Sequence, residues 1–165
     1  MGLDITAASK LELIPDAPAD LNGFHIGPNP DEFADRADGL KPGLYRSHAE
    51  LNFRAGSYSG YNAWREQLAE LAGYPKRLHF SDHKPPEELH AAGAWEATHG
   101  PFWELINFSD CEGVIGAKTS AKLAQDFAEH QVKADAHADE WFRDLYAIWR
   151  RAFELASDGG AVDFH

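Results

Sequence analysis

Cysteine, methionine and positive charge are scarce in this chain. It has one Cys, one Met, and 15 Lys and Arg against 27 Asp and Glu, for a formal net charge of −12 at pH 7. A lone Cys111 excludes an internal disulfide, so the fold must stand on packing, and a reducing compartment is expected. The shortage of Lys and Arg argues against a direct nucleic-acid partner, because a phosphate grip needs clustered positive charge. No apolar run approaches the roughly 18 residues of a membrane span, so no membrane partner is predicted. The N-terminus Met1-Gly-Leu-Asp-Ile-Thr lacks the basic and apolar blocks of a signal peptide. A cytoplasmic location is the expectation. Residues 117–158 contain neither Gly nor Pro, the usual helix breakers.

What is present suits one domain. The 165 residues include five Trp, five Tyr and ten Phe, large side chains that supply most of the area for a core. Leu3, Ile5 and Ala7 alternate with Asp4, Thr6 and Ala8, the period-two pattern of a half-buried strand. Short extended runs are read at Leu11-Glu-Leu-Ile, across residues 43–54, and at the C-terminal Ala161-Val-Asp-Phe-His165. Residues 15–43 read as loop with one short helical turn near Asp31. A helix is expected from a cap near Ser59 to Gly73, with Tyr61, Trp64, Leu68 and Leu71 in one stripe. Residues 75–101, with four His and a Pro-Pro pair, read as a surface excursion carrying a short helix from Pro86 toward Thr98.

In 117–156, Leu123, Ala124, Phe127, Ala128 and Val132 share an apolar face, and Lys122 meets Asp126 at i,i+4 on a face read as solvated. Trp141, Phe142, Leu145, Trp149 and Phe153 form a second stripe. One continuous helix would reach about 60 Å at 1.5 Å per residue, against a radius of gyration of about 15 Å for such a domain. A break is therefore predicted within 133–139, with Asp139 as cap. The fold class is α+β: a small, mostly antiparallel sheet including both termini, covered by two to three helices, with a long C-terminal helical region.

Two segments concentrate polar groups among apolar ones. In 53–65, Gly56 and Gly60 allow close turns, Ser57 and Ser59 bring hydroxyls, and Tyr58 and Tyr61 bring rings. Asn62 adds an amide, while Arg54 and Arg65 add guanidinium forks suited to a carboxylate or a ligand anion. In 104–116, Glu104, Asn107, Ser109, Asp110 and Glu112 interleave with Leu105, Ile106 and Phe108. Gly113 and Gly116 then feed a helix N-terminus, whose free N–H groups favour an anion. The arginines and acids either pair structurally or await a ligand. Asp110 and Glu112 could also serve as acid and base, or hold a divalent ion with Glu104. Cys111 reads as a small buried residue rather than a nucleophile, since flanking acids disfavour its thiolate. His79 and His83, spaced by four, precede Pro85 and Pro86 and read as loop histidines rather than ligands.

Taken together, Met1-Gly-Leu-Asp-Ile-Thr, Phe53-Arg-Ala-Gly-Ser-Tyr-Ser-Gly-Tyr-Asn, Glu104-Leu-Ile-Asn-Phe-Ser-Asp-Cys-Glu-Gly and Gly159-Gly-Ala-Val-Asp-Phe-His resemble a group of uncharacterised small proteins of bacteriophages and prophage-bearing bacteria. The resemblance brings no catalytic residue with it. It implies an accessory protein made inside a bacterium, one that counters host defence by binding. The leading functional reading is a binder of a small polar, nucleotide-like ligand, with no cofactor or metal called for. The alternatives are an acidic inhibitor of a host protein and a small hydrolase-type enzyme using Asp110 and Glu112. Exposed aromatic surface on the helical region also allows a homodimer.

Overall fold

Both chain ends enter one sheet because both are short apolar alternations. A computed structural model of the chain describes residues 2–18, 20–81 and 84–165. Its strands and helices follow in the order β1 (Gly2–Ser9), β2 (Glu12–Leu13), β3 (Phe24–Ile26), β4 (Gly43–Arg46), β5 (Ala49–Ser57), α1 (Tyr58–Ala72), β6 (Arg77–Ser81), β7 (Lys84–Leu89), α2 (His90–Glu96), α3 (Trp103–Ile106), β8 (Gly113–Gly116), α4 (Ala117–Glu129), α5 (Gln131–Asp135), α6 (Glu140–Ala156) and β9 (Ala161–Phe164). A 3-10 helix occupies Asp31–Ala37. The main sheet is antiparallel in the order β5-β1-β9-β8, a smaller one runs β2-β4-β3, and β6 and β7 form a separate hairpin. The architecture is α+β, with strands from both termini adjacent at the centre of the main sheet.

Strand alternation gives the main sheet two different faces. Leu3, Ile5, Val162 and Phe164 point to one side, where α1, α4 and α6 cover them. There Tyr61, Trp64, Trp149 and Phe153 pack ring against ring, with Trp64 and Trp149 stacked at 5.8 Å and Trp149 and Phe153 at 5.6 Å. Each such fully buried ring removes a large apolar area from water and fixes neighbours through its shape. On the other side Ala8, Val114 and Ala161 meet Phe24, Ile26 and Tyr45 of the smaller sheet. Gly160 lets the chain entering β9 lie close against β1, because a side chain there would run into the carbonyl of Ala8.

Helix α1 starts two residues earlier than expected: Ser57 is the cap, its hydroxyl accepting from the Gly60 N–H at 3.1 Å. It ends at Gly73, which takes the left-handed conformation. The C-terminal helical region breaks where the length argument required, and the Asp139 carboxylate accepts from the Trp141 N–H at 3.0 Å. An additional break at His130 turns the first apolar stripe out of phase, which leaves Val132 82% exposed. Trp141, expected on the second stripe, is 42% exposed. The excursion at 75–101 is a β-hairpin followed by α2, and no helix starts at Pro86. A two-stranded ribbon tolerates Pro85 and Pro86 because neither strand must donate on both sides. Among the described residues no helix is long and apolar enough to cross a membrane.

Candidate functional site

Arg65 organises the polar centre. Its place on α1 beside the apolar stripe leaves its side chain only 9% exposed, so the guanidinium must find acceptors inside the protein. It donates to the carbonyls of Ile106 at 3.2 Å and Phe108 at 2.6 Å, at the end of α3. It also donates to Asn62 Oδ1, and its Nη2 lies 3.9 Å from Asp110 Oδ2. Asn62 Nδ2 completes the circuit by donating to Asp110 at 2.8 Å. The guanidinium sits 4.7 Å over the Tyr61 ring, a cation–π contact that further fixes its plane. This closed circuit ties α1 to the loop 107–112. Ser109 shapes that loop by accepting from the N–H groups of Cys111 and Glu112 at 3.3 and 3.1 Å.

Two cavities open on either side of Asp110. One, of about 740 Å³, lies between α1, the β6–β7 hairpin and α2, with Asn62, Glu66, His79, Lys84 and Glu87 on its walls. The other, of about 470 Å³, lies between the 3-10 helix and the loop, with Phe33, Asn107, Ser109, Cys111 and Glu112 on its walls. Arg65, Trp95 and Asp110 border both. Trp95 is 40% exposed, donates from its indole N–H to the Ile106 carbonyl at 3.3 Å, and meets the His79 ring edge-on at 5.1 Å.

Helix α2 carries Trp95 and is itself placed by α1. The Glu66 carboxylate accepts from the N–H groups of His90 and Ala91, both at 2.8 Å, capping α2 from outside its own sequence. Gly93 lets α2 lie against the turn after α1, since a side chain there would strike the Pro75 carbonyl.

The remaining sequence candidates go elsewhere. Arg54 lies on the opposite face of the main sheet, 3.8 Å from Asp4, with its side chain 61% exposed, so it does not join Arg65. Tyr61 is wholly buried in the aromatic core, and burial pushes its phenol well above the usual range, so it stays protonated. Ser57 is spent on the α1 cap, and Tyr58 packs against the core.

Glu104 belongs to another network. Lys122 Nζ lies 2.5 Å from Glu104 and 2.8 Å from Asp126, and Asp126 also accepts from the Phe102 N–H at 2.7 Å. The Lys122–Asp126 pair therefore forms, but Asp126 is buried rather than solvated. Burial raises its carboxyl pKa, and Lys122 and the Phe102 N–H act against that shift. In the same network burial, helped by Glu104 and Asp126, pushes the Tyr74 phenol up to about 12.

Gly113 and Gly116 bound strand β8 rather than a glycine turn, and the α4 N-terminus beyond them is already filled. The Asp38 carboxylate accepts there from the Thr119 N–H at 2.7 Å and the Thr119 hydroxyl at 3.1 Å. The anion expected at that terminus is the protein's own side chain. Cys111 is exposed rather than buried. With Glu104 held by Lys122, Asp110 and Glu112 gain no third acid, and no group of three metal-ligating side chains exists among the described residues. His83 of the His79–His83 pair lies outside the described residues, while His79 sits on β6 at the cavity wall.

Trp95, Glu66 and Lys84 were not among the sequence candidates, and His79, read there as a loop histidine, lies on strand β6. The available signal was a lone large aromatic in His90-Ala-Ala-Gly-Ala-Trp95, a helix of otherwise small residues. No family model matches the chain, and no curated protein or solved structure matches it either.

Proposed function

We propose that the protein binds a small polar, nucleotide-like ligand in the paired cavities around Asp110. The observation that carries this reading is the convergence of two cavities, about 740 and 470 Å³, on Arg65, Trp95 and Asp110. Such volumes suit molecules of nucleotide size. Trp95 presents an exposed ring for stacking on a base, worth about 1–3 kcal/mol in stacking sites of this kind. Lys84 and His79 on the hairpin meet the anionic part, and Asn62, Ser59 and Asp110 read polar edges. Arg65 serves the site by fixing its walls, because both of its terminal nitrogens already have acceptors.

The resemblance to phage and prophage proteins supports a role in which such a ligand is sequestered to counter host defence. Binding is favoured over turnover because Asp110, the candidate acid or base, is engaged by Asn62 and faces Arg65. Denaturing the purified protein and analysing released small molecules by mass spectrometry, alongside a thermal-shift panel of nucleotides, tests the reading. A released or stabilising nucleotide, lost in Trp95→Ala and retained in Arg54→Ala, is expected. No released ligand and no shift with any nucleotide would count against it. Recovery instead of one host protein, abolished by neutralising surface acids, would favour the acidic-inhibitor alternative.

A further inference from the structure

The C-terminal motif Gly159-Gly-Ala-Val-Asp-Phe-His165 builds a second polar site, on the face of the main sheet opposite α1, α4 and α6. Val162 and Phe164 are buried in the helix-side core, so strand alternation turns Asp163 and His165 to the other face. Asp163 lies across from Thr6 on β1 and Val114 on β8. The Thr6 hydroxyl donates to Asn52 Oδ1 at 2.7 Å and lies 3.0 Å from His165 Nε2. His25 and Glu50 close the sides of a cavity of about 250 Å³ over these residues. The smaller sheet ends at this point, with Gly23 and Phe24 at the rim.

Asp163 is the anomaly in this cluster. It is half-buried at the centre of a sheet, and among the described residues its side chain has no hydrogen bond and no ion pair. Burial, with nothing to oppose it, pushes its carboxyl up to about 7. A half-buried carboxylate with no protein partner is costly to ionise, and a cation placed against it lowers that cost. The surroundings offer the other acceptors that an N–H cation needs: the Glu50 carboxylate, which already accepts from Ser47 at 2.6 Å, and the Asn52 carbonyl oxygen.

We propose that this cavity is a ligand site for the primary ammonium or guanidinium head of a small organic amine, held by Asp163 and Glu50 with Asn52 and Thr6 alongside. Its size admits such a head and little more. The net charge of −12 raises the local concentration of cations. Every titratable group facing Asp163 bears on the pH dependence. Glu50 on β5 favours the cation, the imidazolium forms of His25 on β3 and of His165 just past β9 would oppose it, and β8 contributes no titratable residue. Arg54, next along β5, is neutralised by Asp4 on β1. Binding therefore strengthens as pH rises through about 7 and Asp163 ionises.

The test is a heteronuclear NMR titration of the full chain with putrescine, using 1,4-butanediol and potassium chloride at equal ionic strength as controls. Saturable shifts at Asn52, Asp163 and His165 with putrescine alone are expected. The affinity should fall about tenfold in Asp163→Asn at pH 8, as the loss of a charge-assisted contact implies, and in the wild type it should fall as pH drops below 7. Asn52→Leu, at an exposed position, provides a second variant and should weaken binding severalfold. Absence of saturable shifts, equal shifts with potassium chloride, or undiminished binding in either variant would overturn the proposal.

Discussion

The two faces of the main sheet treat a buried charge in opposite ways. On the helix side Arg65 is nearly inaccessible, yet its terminal nitrogens have acceptors: two carbonyls, an amide oxygen and a nearby carboxylate. On the opposite side Asp163 is less deeply buried and has nothing among the described residues to offset the loss of water. The satisfied charge is architecture. It holds α1 against the loop that divides the two cavities, and so makes their walls rigid. The unsatisfied charge is an open valence, tolerated at the end of the smaller sheet where a ligand can reach it.

Breaking the satisfied side should have the largest effect. Arg65→Met leaves the Phe108 carbonyl without its donor, leaves the Ile106 carbonyl with the Trp95 indole N–H alone, and strips Asp110 of its nearby cation. A loss of about 3 kcal/mol is expected, read as a lower urea midpoint at unchanged m. Arg65→Lys should recover only part, since an ammonium cannot span both carbonyls in one plane.

Neutralising the unsatisfied side should do the reverse. The folded-state pKa of Asp163 is raised to about 7, so the native protein holds its proton more tightly than the unfolded chain does. Stability associated with that proton is fully present below about pH 4 and is lost as pH rises through about 7. Asp163→Asn should therefore gain little at pH 4 and about 2 kcal/mol at pH 8, measured by urea unfolding at both pH values. That gain is roughly half of what the full shift implies, because the half-buried side chain keeps part of its hydration. A destabilised Asp163→Asn at pH 8 would mean that the carboxylate has a partner after all.

The cap from α1 to α2 comes next. Glu66→Ala removes the acceptor for the His90 and Ala91 N–H groups and should cost about 1 kcal/mol. It should also loosen Trp95, seen as a shifted indole fluorescence maximum. The smallest effect belongs to Arg54→Ala. Its exposed pair with Asp4 is worth less than about 0.5 kcal/mol, so stability and nucleotide binding should both stay as in the wild type.

These expectations also mark what the chain reveals locally and what it conceals. The alternation of Leu3, Ile5 and Ala7 and the spacing of Tyr61, Trp64 and Leu68 identify β1 and α1, because each pattern reports burial within a single element. The Asp139 cap is legible for the same reason. Contacts between distant segments are not. Asp38 fills the α4 N-terminus from 81 residues away, Glu66 caps α2 from 24, and the buried role of Asp126 rests on the Phe102 N–H. The pairing of Arg65 with Asp110 was within reach, since both segments mix acids, amides and arginine with apolar residues. Arg54 was misleading: strand alternation within β5 turns it to the opposite face from its apolar neighbours Phe53 and Ala55. The hairpin was hidden by Pro85 and Pro86, which argue against a strand wherever a ladder continues on both sides.

The central claim is that a nucleotide-like ligand occupies the cavities bordered by Arg65, Trp95 and Asp110. A heteronuclear NMR titration with a nucleotide panel tests it most directly, with the Trp95 indole and the Asn62 and Asp110 amides as reporters. At least one nucleotide should shift these signals saturably and leave those of Arg54 and Asp4 unmoved, and Trp95→Ala should abolish the effect. Saturable binding whose shifts lie outside these cavities, or no binding by any member of the panel, would contradict it.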